Sequence, residues 1–367
     1  MNGRPAWAEV DLDAIRHNAR VLAGKAAPAA LCAVVKADGY GHGAVPVARA
    51  ALEGGATWLA VAMVEEGVGL RDAGITAPIL LLSEPPDVGA AVAAGLTPTV
   101  YTEAGVAAAG DAPVHLKVDT GMHRVGADHA TAAKLARAIP RLEGVWTHFA
   151  VADQLDDPFT DLQAERFEAL LADLEAAGIR APLRHASNSA GALGHPHRRY
   201  DMVRCGIALY GVAPSPAMAG LARDLRPALS LKAEVSYVKE VEAGAGVSYG
   251  LRYRLPEPST VATVPIGYAD GVPWRLGVTG GEALIGGFRR PIAGAVTMDQ
   301  ITVDCGPDPS VRPGDEVVLI GRQGDEHISA QEWADRIGTI AYEVLTGIGS
   351  RVPREYDSPR SPRTWGP

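Results

Sequence analysis

Hydrophobic and polar positions follow a repeating rhythm over the first two hundred residues. Short apolar runs fall at 31–35, 57–61, 78–82, 97–101, 114–118, 143–148, 183–186 and 201–205. Between most of them lie alanine-rich or amphipathic stretches, as at 45–53, 64–72, 130–138 and 161–176. Strands alternating with helices predict βαβ units and a parallel sheet. Eight such units are the count of a closed (β/α)8 barrel, with a doubly wound open sheet as the alternative. Ahead of the first unit, the pattern predicts a strand over 6–10 and a helix running to about Lys25, capped by Asp11 or Asp13.

Near Ser230 the rhythm changes. Segments 231–241, 260–265, 282–296, 301–305 and 316–320 predict strands joined by Gly/Pro turns, and 330–336 and 342–346 suggest helix. The fold class is therefore α/β plus all-β. A TIM-type (β/α)8 barrel is expected over 11–230 and a mostly β domain over 231–356, which the N-terminal strand at 5–10 joins. The tail at 357–367 reads as disordered.

Length and composition narrow the function. A chain of 367 residues exceeds one ordinary core. Hydrophobic residues make up 47% and charged residues 21%, as in a soluble globular protein. The net charge of −9, with no basic block, argues against a nucleic-acid surface. Cys32, Cys205 and Cys305 show no CxxC spacing and read as reduced thiols. No apolar run approaches the ~18 residues of a membrane span, and Glu9, Asp11 and Asp13 are unlike a signal peptide. A cytoplasmic protein with no metal site is expected.

Candidate chemistry concentrates at the strand ends, where a (β/α)8 barrel carries its active site. The run 31–35 delivers Lys36 and then dissolves into Ala37-Asp38-Gly39-Tyr40-Gly41-His42-Gly43. A lysine at the end of a buried strand has its pKa pushed down toward nucleophilic chemistry. The glycines let backbone approach a ligand, and Tyr40 offers a hydroxyl to a phosphate. These features suit a Schiff-base lysine beside a phosphorylated aldehyde; a solvated lysine before an ordinary turn fits them equally. Other strand ends carry Lys117 and Arg124, His148, the segment His185–Gly191, and Arg204-Cys205-Gly206-Ile207. Asn188-Ser189 and Gly206-Ile207 fit a phosphate site in the last two loops, although Ser189 also fits a helix N-cap. Pyridoxal phosphate is the cofactor these parts suggest, with a lysine-dependent aldolase as the rival.

From Trp7 to about Tyr356 the chain resembles the alanine racemase family of fold-type III pyridoxal-phosphate enzymes. The resemblance lies in Val-Lys-Ala-Asp-Gly-Tyr-Gly-His-Gly (35–43), Leu-Lys-Val-Asp-Thr-Gly-Met-His-Arg (116–124), Thr-His-Phe-Ala (147–150) and Asn-Ser-Ala (188–190). It continues in Val-Arg-Cys-Gly-Ile-Ala-Leu-Tyr-Gly (203–211), Val-Ser-Tyr-Gly (247–250), Gly-Tyr-Ala-Asp-Gly (267–271) and Met-Asp-Gln (298–300).

The resemblance implies a two-base racemisation of L- and D-alanine that supplies D-alanine for peptidoglycan. Lys36 would bind the cofactor and act as one base, and Tyr249 as the other on the opposite face. His148 would sit on the Tyr249 phenol with Arg204 behind it, and Arg204 would also face the cofactor's pyridine nitrogen. Tyr40, Asn188, Ser189, Gly206, Ile207 and Tyr342 match the cofactor-binding set. Arg124 matches the residue that holds the cofactor's phenolic oxygen and the substrate carboxylate, with Met298 beside it. Tyr268 and Asp153 match entry-channel residues, and Lys117 a position carbamylated in some members. The implied assembly is a head-to-tail homodimer in which Tyr249, Tyr268 and Met298 reach the other subunit's cofactor.

Two departures concern the entry channel. Ala295 stands where many members carry arginine, and Val272-Pro273-Trp274-Arg275 follows the Gly-Tyr-Ala-Asp-Gly motif; Arg289 or Arg290 are the candidates to compensate. Within the same architecture, a broad-specificity racemase is the alternative. A basic amino-acid decarboxylase is disfavoured by Arg204, and a barrel-only cofactor carrier by the second domain.

Overall fold

The computed structural model describes residues 4–356; the tail expected to be disordered lies outside them. Contacts divide the chain into two units, one spanning Leu12–Pro227 and the other joining the N-terminal stretch to the chain from Ala228 onward.

The first unit is the (β/α)8 barrel. The strand Ala6–Val10 (β1) precedes it. The barrel strands are Ala30–Val34 (β2), Trp58–Val61 (β3), Ile79–Leu81 (β4), Thr99–Val100 (β5), Val114–Lys117 (β6), Leu142–Trp146 (β7), Leu183–His185 (β8) and Met202–Cys205 (β9). They form two four-stranded parallel sheets, ordered β4-β3-β2-β9 and β5-β6-β7-β8. A parallel bridge between Leu80 and Thr97 joins one pair of edges. Backbone bonds from Asp201 N to Arg184 O and from Arg204 N to Ser187 O, both 2.9 Å, join the other. All eight apolar runs are strands, flanked by helices that include Leu12–Ala26 and Val64–Asp72.

The outward strand residues Val114, Leu116 and Val145 pack against Leu135, Phe167 and Leu170 of the surrounding helices. Each buried aliphatic side chain contributes about 1.5–3 kcal/mol. Short helices at Val88–Ala93 and Glu103–Ala109 escape the pattern, because alanine and glycine give them too little polar contrast for a helical period.

The second unit is mostly β. Strand β1 pairs antiparallel with Leu229–Glu234 and parallel with Arg354–Tyr356 within a seven-stranded sheet. Two sequence expectations need correction here. The single strand expected over 231–241 is two strands, Leu229–Glu234 and Tyr237–Val241, in different sheets. Between them Val235 N bonds Asp315 O and Ser236 N bonds Thr263 O, so the chain crosses from one sheet to the other. The run 282–296 is instead a hairpin, Glu282–Ile285 and Phe288–Pro291, turned by Gly286 and Gly287 at φ +65° and +81°. Two consecutive residues at positive φ are what a type I′ turn demands, and glycine supplies them without steric cost.

Candidate active site

Strand β2 stops at Val34, and Lys36 opens an unusual turn rather than ending the strand itself. Ala37, Asp38, Gly39, Tyr40 and Gly41 all have φ between 50° and 80°, a left-handed turn closed by Gly41 N to Ala37 O at 3.0 Å. Ala37, Asp38 and Tyr40 each bear a Cβ in a region that costs about 1–2 kcal/mol per residue. Neighbours hold the turn. Glu66 Oε1 accepts from Ala37 N–H at 2.6 Å, and Asp38 Oδ1 accepts from Ala44 N–H at 2.8 Å. Strain maintained in this way marks functional sites. The turn leaves Lys36 half-buried and brings Tyr40 back into the core.

Tyr40 stacks on Tyr210 with ring centroids 4.8 Å apart, and Tyr210 is anchored by its hydroxyl to Val34 O at 3.0 Å. A Cβ at Gly206 would lie 2.3 Å from Tyr40 Oη, so only glycine leaves room for that hydroxyl. Ser189 Oγ accepts from the N–H groups of Gly206 at 2.9 Å and Ala208 at 3.3 Å. Tyr40, Ser189 and Gly206 therefore converge, with buried Ile207 opening the next helical turn. Asn188, not Ser189, caps the helix Ser189–Gly194 by accepting from Gly191 N–H at 2.9 Å. The Ser189 hydroxyl is thereby available to the loop after β9.

A second group lies across the strand ends. Arg204 is 2% exposed. Its Nη2 donates to Thr147 O and Ala186 O, both at 2.9 Å, and lies 3.2 Å from His148 Nδ1. Its Nη1 lies 2.7 Å from His185 Nδ1. A guanidinium can only donate, so both histidines present a lone pair to it and carry their proton on Nε2. Burial, then Arg204, Lys117, Arg124 and Lys36, hold His148 well below the usual imidazole range. Lys117, 3% exposed, lies 4.3 Å from the Trp146 ring centroid. Burial, with Arg204 and Arg124 nearby, brings its pKa down to about 7. Burial and Arg124 also lower Lys36, against an opposing pull from Glu66. Arg124 itself is exposed, on a loop that Asp119 ties through the N–H groups of Gly121 and His123. Asp153 is half-buried, its carbonyl 3.5 Å from Ser215 Oγ.

The remaining predicted residues belong to the second unit. Tyr249 is 76% exposed, Met298 53% and Tyr268 44%. Their loops are tied together: Ser248 Oγ donates to Ala295 O, Tyr268 N to Thr297 O and Ala269 N to Met298 O. Buried Asp270, paired with Arg4 and Arg351, accepts from Gly267 N–H and holds the Tyr268 turn. Tyr342 is half-buried in the helix Ala341–Thr346. Both candidates for compensating Ala295 are engaged in ion pairs. Arg289 is bound by Glu282, Glu326 and Glu332, and Arg290 by Asp308.

Sequence reasoning missed His115, Trp146 and Glu66 as parts of this environment. His115 and Trp146 stand two residues before Lys117 and His148, so the period of two along a strand could have placed them in the barrel interior.

A half-buried lysine of lowered basicity thus lies among fixed cations at the C-terminal end of a (β/α)8 barrel, the end where barrel enzymes carry their active sites. Comparison with known proteins makes the class specific. Residues 10–214 match the profile described as "Alanine racemase, N-terminal domain", and 228–356 that of the C-terminal domain. The alanine racemase of Symbiobacterium thermophilum is 51% identical over 96% of this chain and 97% of its own length. The crystal structure of alanine racemase from D-cycloserine-producing Streptomyces lavendulae superposes with TM-score 0.91 at 41% identity, covering 98% of this chain and 99% of that one. That of Bacillus anthracis with bound L-Ala-P gives TM-score 0.90 at 42% identity, covering 97% and 95%. The chain belongs to the alanine racemase family.

Proposed function

We propose that this protein is a pyridoxal phosphate-dependent alanine racemase that works as a homodimer, interconverting L- and D-alanine. The observation that carries the reading is the meeting of Tyr40, Ser189 and Gly206 beside the turn that opens with Lys36, with buried Arg204 3.2 Å from His148 Nδ1 across the strand ends. The residues fit the cofactor. Lys36 offers an amine with lowered pKa to its aldehyde, and the Tyr40 and Ser189 hydroxyls meet at a glycine that a side chain would fill, where a phosphate needs donors. Tyr342, Asn188, Gly206 and Ile207 complete the binding set. Bound there, pyridoxal phosphate supplies a carbonyl that condenses with an amino group and a conjugated ring that acidifies the substrate Cα–H.

The chain's own groups supply the rest. Lys36 Nζ takes or returns the Cα proton on one face, and Tyr249 Oη of the partner subunit serves the other. A free phenol has pKa ~10, so action near pH 7 requires ~4 kcal/mol of differential stabilisation. The Nε2–H that Arg204 leaves on His148 is a donor suited to the phenolate. Arg204, which keeps its proton, would face the cofactor's ring nitrogen and, having none to give up, would leave that nitrogen unprotonated, disfavouring transamination and decarboxylation. Arg124 and the backbone of the partner subunit's Met298 would hold the substrate carboxylate, the partner subunit's Tyr268 would line its entry with Asp153, and Lys117 is the amine open to carbamylation beside Arg124. The small substrate and the D-alanine product suit cytoplasmic supply of peptidoglycan. Among the described residues, no helix is long and apolar enough to cross a membrane.

Initial racemisation rates with L-alanine, L-serine, L-lysine and L-arginine, for the wild type and Tyr249→Phe, test the proposal. Turnover confined mainly to alanine and strongly reduced from the L side in the variant is expected. Comparable rates on basic amino acids would move the protein to the broad-specificity class, and no turnover with cofactor bound would sink the enzyme reading.

A further inference from the structure

A buried chain of polar groups leads from Arg204 into the barrel. Beyond the Arg204–His185 contact, His185 Nε2 lies 2.8 Å from His115 Nδ1, and His115 Nε2 lies 3.7 Å from Glu143 Oε2. Both histidines are fully buried. Because Arg204 cannot accept, the direction of every link follows from that end. His185 Nδ1 accepts, so its Nε2–H donates to His115 Nδ1, and the His115 proton then stands on Nε2, facing the carboxylate. His115 Nε2 and Glu143 Oε2 are both buried without a hydrogen-bond partner, and at 3.7 Å each is the other's facing polar group.

Local backbone makes this alignment possible. Val114 pairs with Leu142 but His115 pairs with Gly144, which leaves Glu143 as the extra residue of a bulge in β7. Bulges re-aim side chains, and this one turns Glu143 toward a partner that strict alternation would deny it. A Cβ at Gly144 would stand 2.6 Å from His115 Nδ1, so the glycine clears the space the imidazole occupies. The Trp146 ring stacks on His185 at 5.5 Å and 10°, and Trp58 lies against His115 at 5.3 Å, which fixes both imidazole planes.

We propose that His115 and Glu143 are positioning residues for Arg204, locking His185 in the tautomer that accepts from the guanidinium and anchoring the chain on a carboxylate. The proposal rests on the reading of Arg204 as the group facing the cofactor's ring nitrogen. Among the described residues Arg204 meets carbonyls and imidazoles rather than a carboxylate, and the relay places its carboxylate at the far end.

The test compares His115→Gln with His115→Leu. Glutamine can accept from His185 and donate to Glu143, so it preserves the chain's polarity; leucine severs it. Glu143→Ala, at the half-exposed end, breaks the anchor without entering the barrel core and serves if the leucine variant does not fold. From the effect of such supporting partners elsewhere, about a tenfold fall in kcat is expected for His115→Leu and Glu143→Ala. KM for alanine should stay within about twofold and His115→Gln within about threefold of wild type. Nitrogen NMR of the full-length holoenzyme, labelled in its imidazoles, should find the proton on Nε2 of both His115 and His185. Protonation of His185 at Nδ1, a glutamine variant as impaired as the leucine one, or wild-type kcat in Glu143→Ala would each overturn the proposal. If the wild type does not racemise alanine, the functional reading fails, while the tautomers still decide the relay.

Discussion

Replacing Gly206 with alanine isolates the contact on which the phosphate end of the site depends. The new Cβ would stand 2.3 Å from Tyr40 Oη and 2.9 Å from Cζ. Carbon atoms rest at about 3.5–4.0 Å, so the phenol must retreat by roughly 1 Å. It has little room to do so, because Tyr40 lies on Tyr210, which is held to Val34 O. Overpacking of this kind costs about 1–3 kcal/mol. Loss of one hydrogen bond to a charged group costs about 1.5–3 kcal/mol. The hydroxyl's displacement should therefore weaken pyridoxal phosphate binding by roughly 10–100-fold, measured by titrating cofactor into stripped protein and following its absorbance. Tyr40→Phe removes the hydroxyl and with it the closest approach. The double variant should accordingly bind little worse than Tyr40→Phe alone. Wild-type affinity in Gly206→Ala, or additive losses in the double variant, would refute the reasoning.

Two further outcomes follow from the same turn and pocket. Ala37→Gly relieves one left-handed Cβ while adding freedom to the unfolded chain, so a net gain of about 0.5–1 kcal/mol is expected; a lowered thermal midpoint would contradict it. Lys117 has its folded pKa lowered from 10.5 to about 7. Between these values the unfolded chain binds the additional proton, so this group's contribution to stability rises with pH across that window and is lost as pH falls through about 7. If the lysine is unmodified, denaturant midpoints for the wild type and Lys117→Met should differ most below about pH 7, where the buried ammonium destabilises the wild type, and approach one another as pH rises toward 10. With isotope-labelled bicarbonate the same amine should instead give a carbamate carbon resonance that Lys117→Met lacks.

The barrel was legible because its signal is periodic. Eight apolar runs separated by helical stretches require only local pattern, and the strands lie at those runs. The second unit was less legible where pattern and topology part. Residues 231–241 alternate apolar and polar positions up to Tyr237 and so read as one strand, and nothing local records that Val235 and Ser236 hand the chain to a second sheet. The turn after Lys36 was hidden differently. Its glycines advertise positive φ at 39 and 41, but Ala37, Asp38 and Tyr40 share that conformation against their own preference. Such violations are expected where function overrides local rules.

The pocket's electrostatics complete the argument. Lys36, Lys117, Arg124 and Arg204 all lower the basicity of His148, while the opposing pulls on the two lysines come from single carboxylates, Asp119 on Lys117 and Glu66 on Lys36. A fold selected for stability alone would not gather four cations around an imidazole, since like charges in a low-dielectric interior repel strongly. On the proposed function the arrangement would become favourable when anions enter: a phosphate at Tyr40 and Ser189, a substrate carboxylate at Arg124, and a carbamate if Lys117 is so modified. Repulsion within the protein alone is thus the source of selectivity for anionic partners. Burial, and after it Arg124, also lowers the basicity of Lys36, so one arrangement of charge bears on both the anions the pocket would hold and the amine.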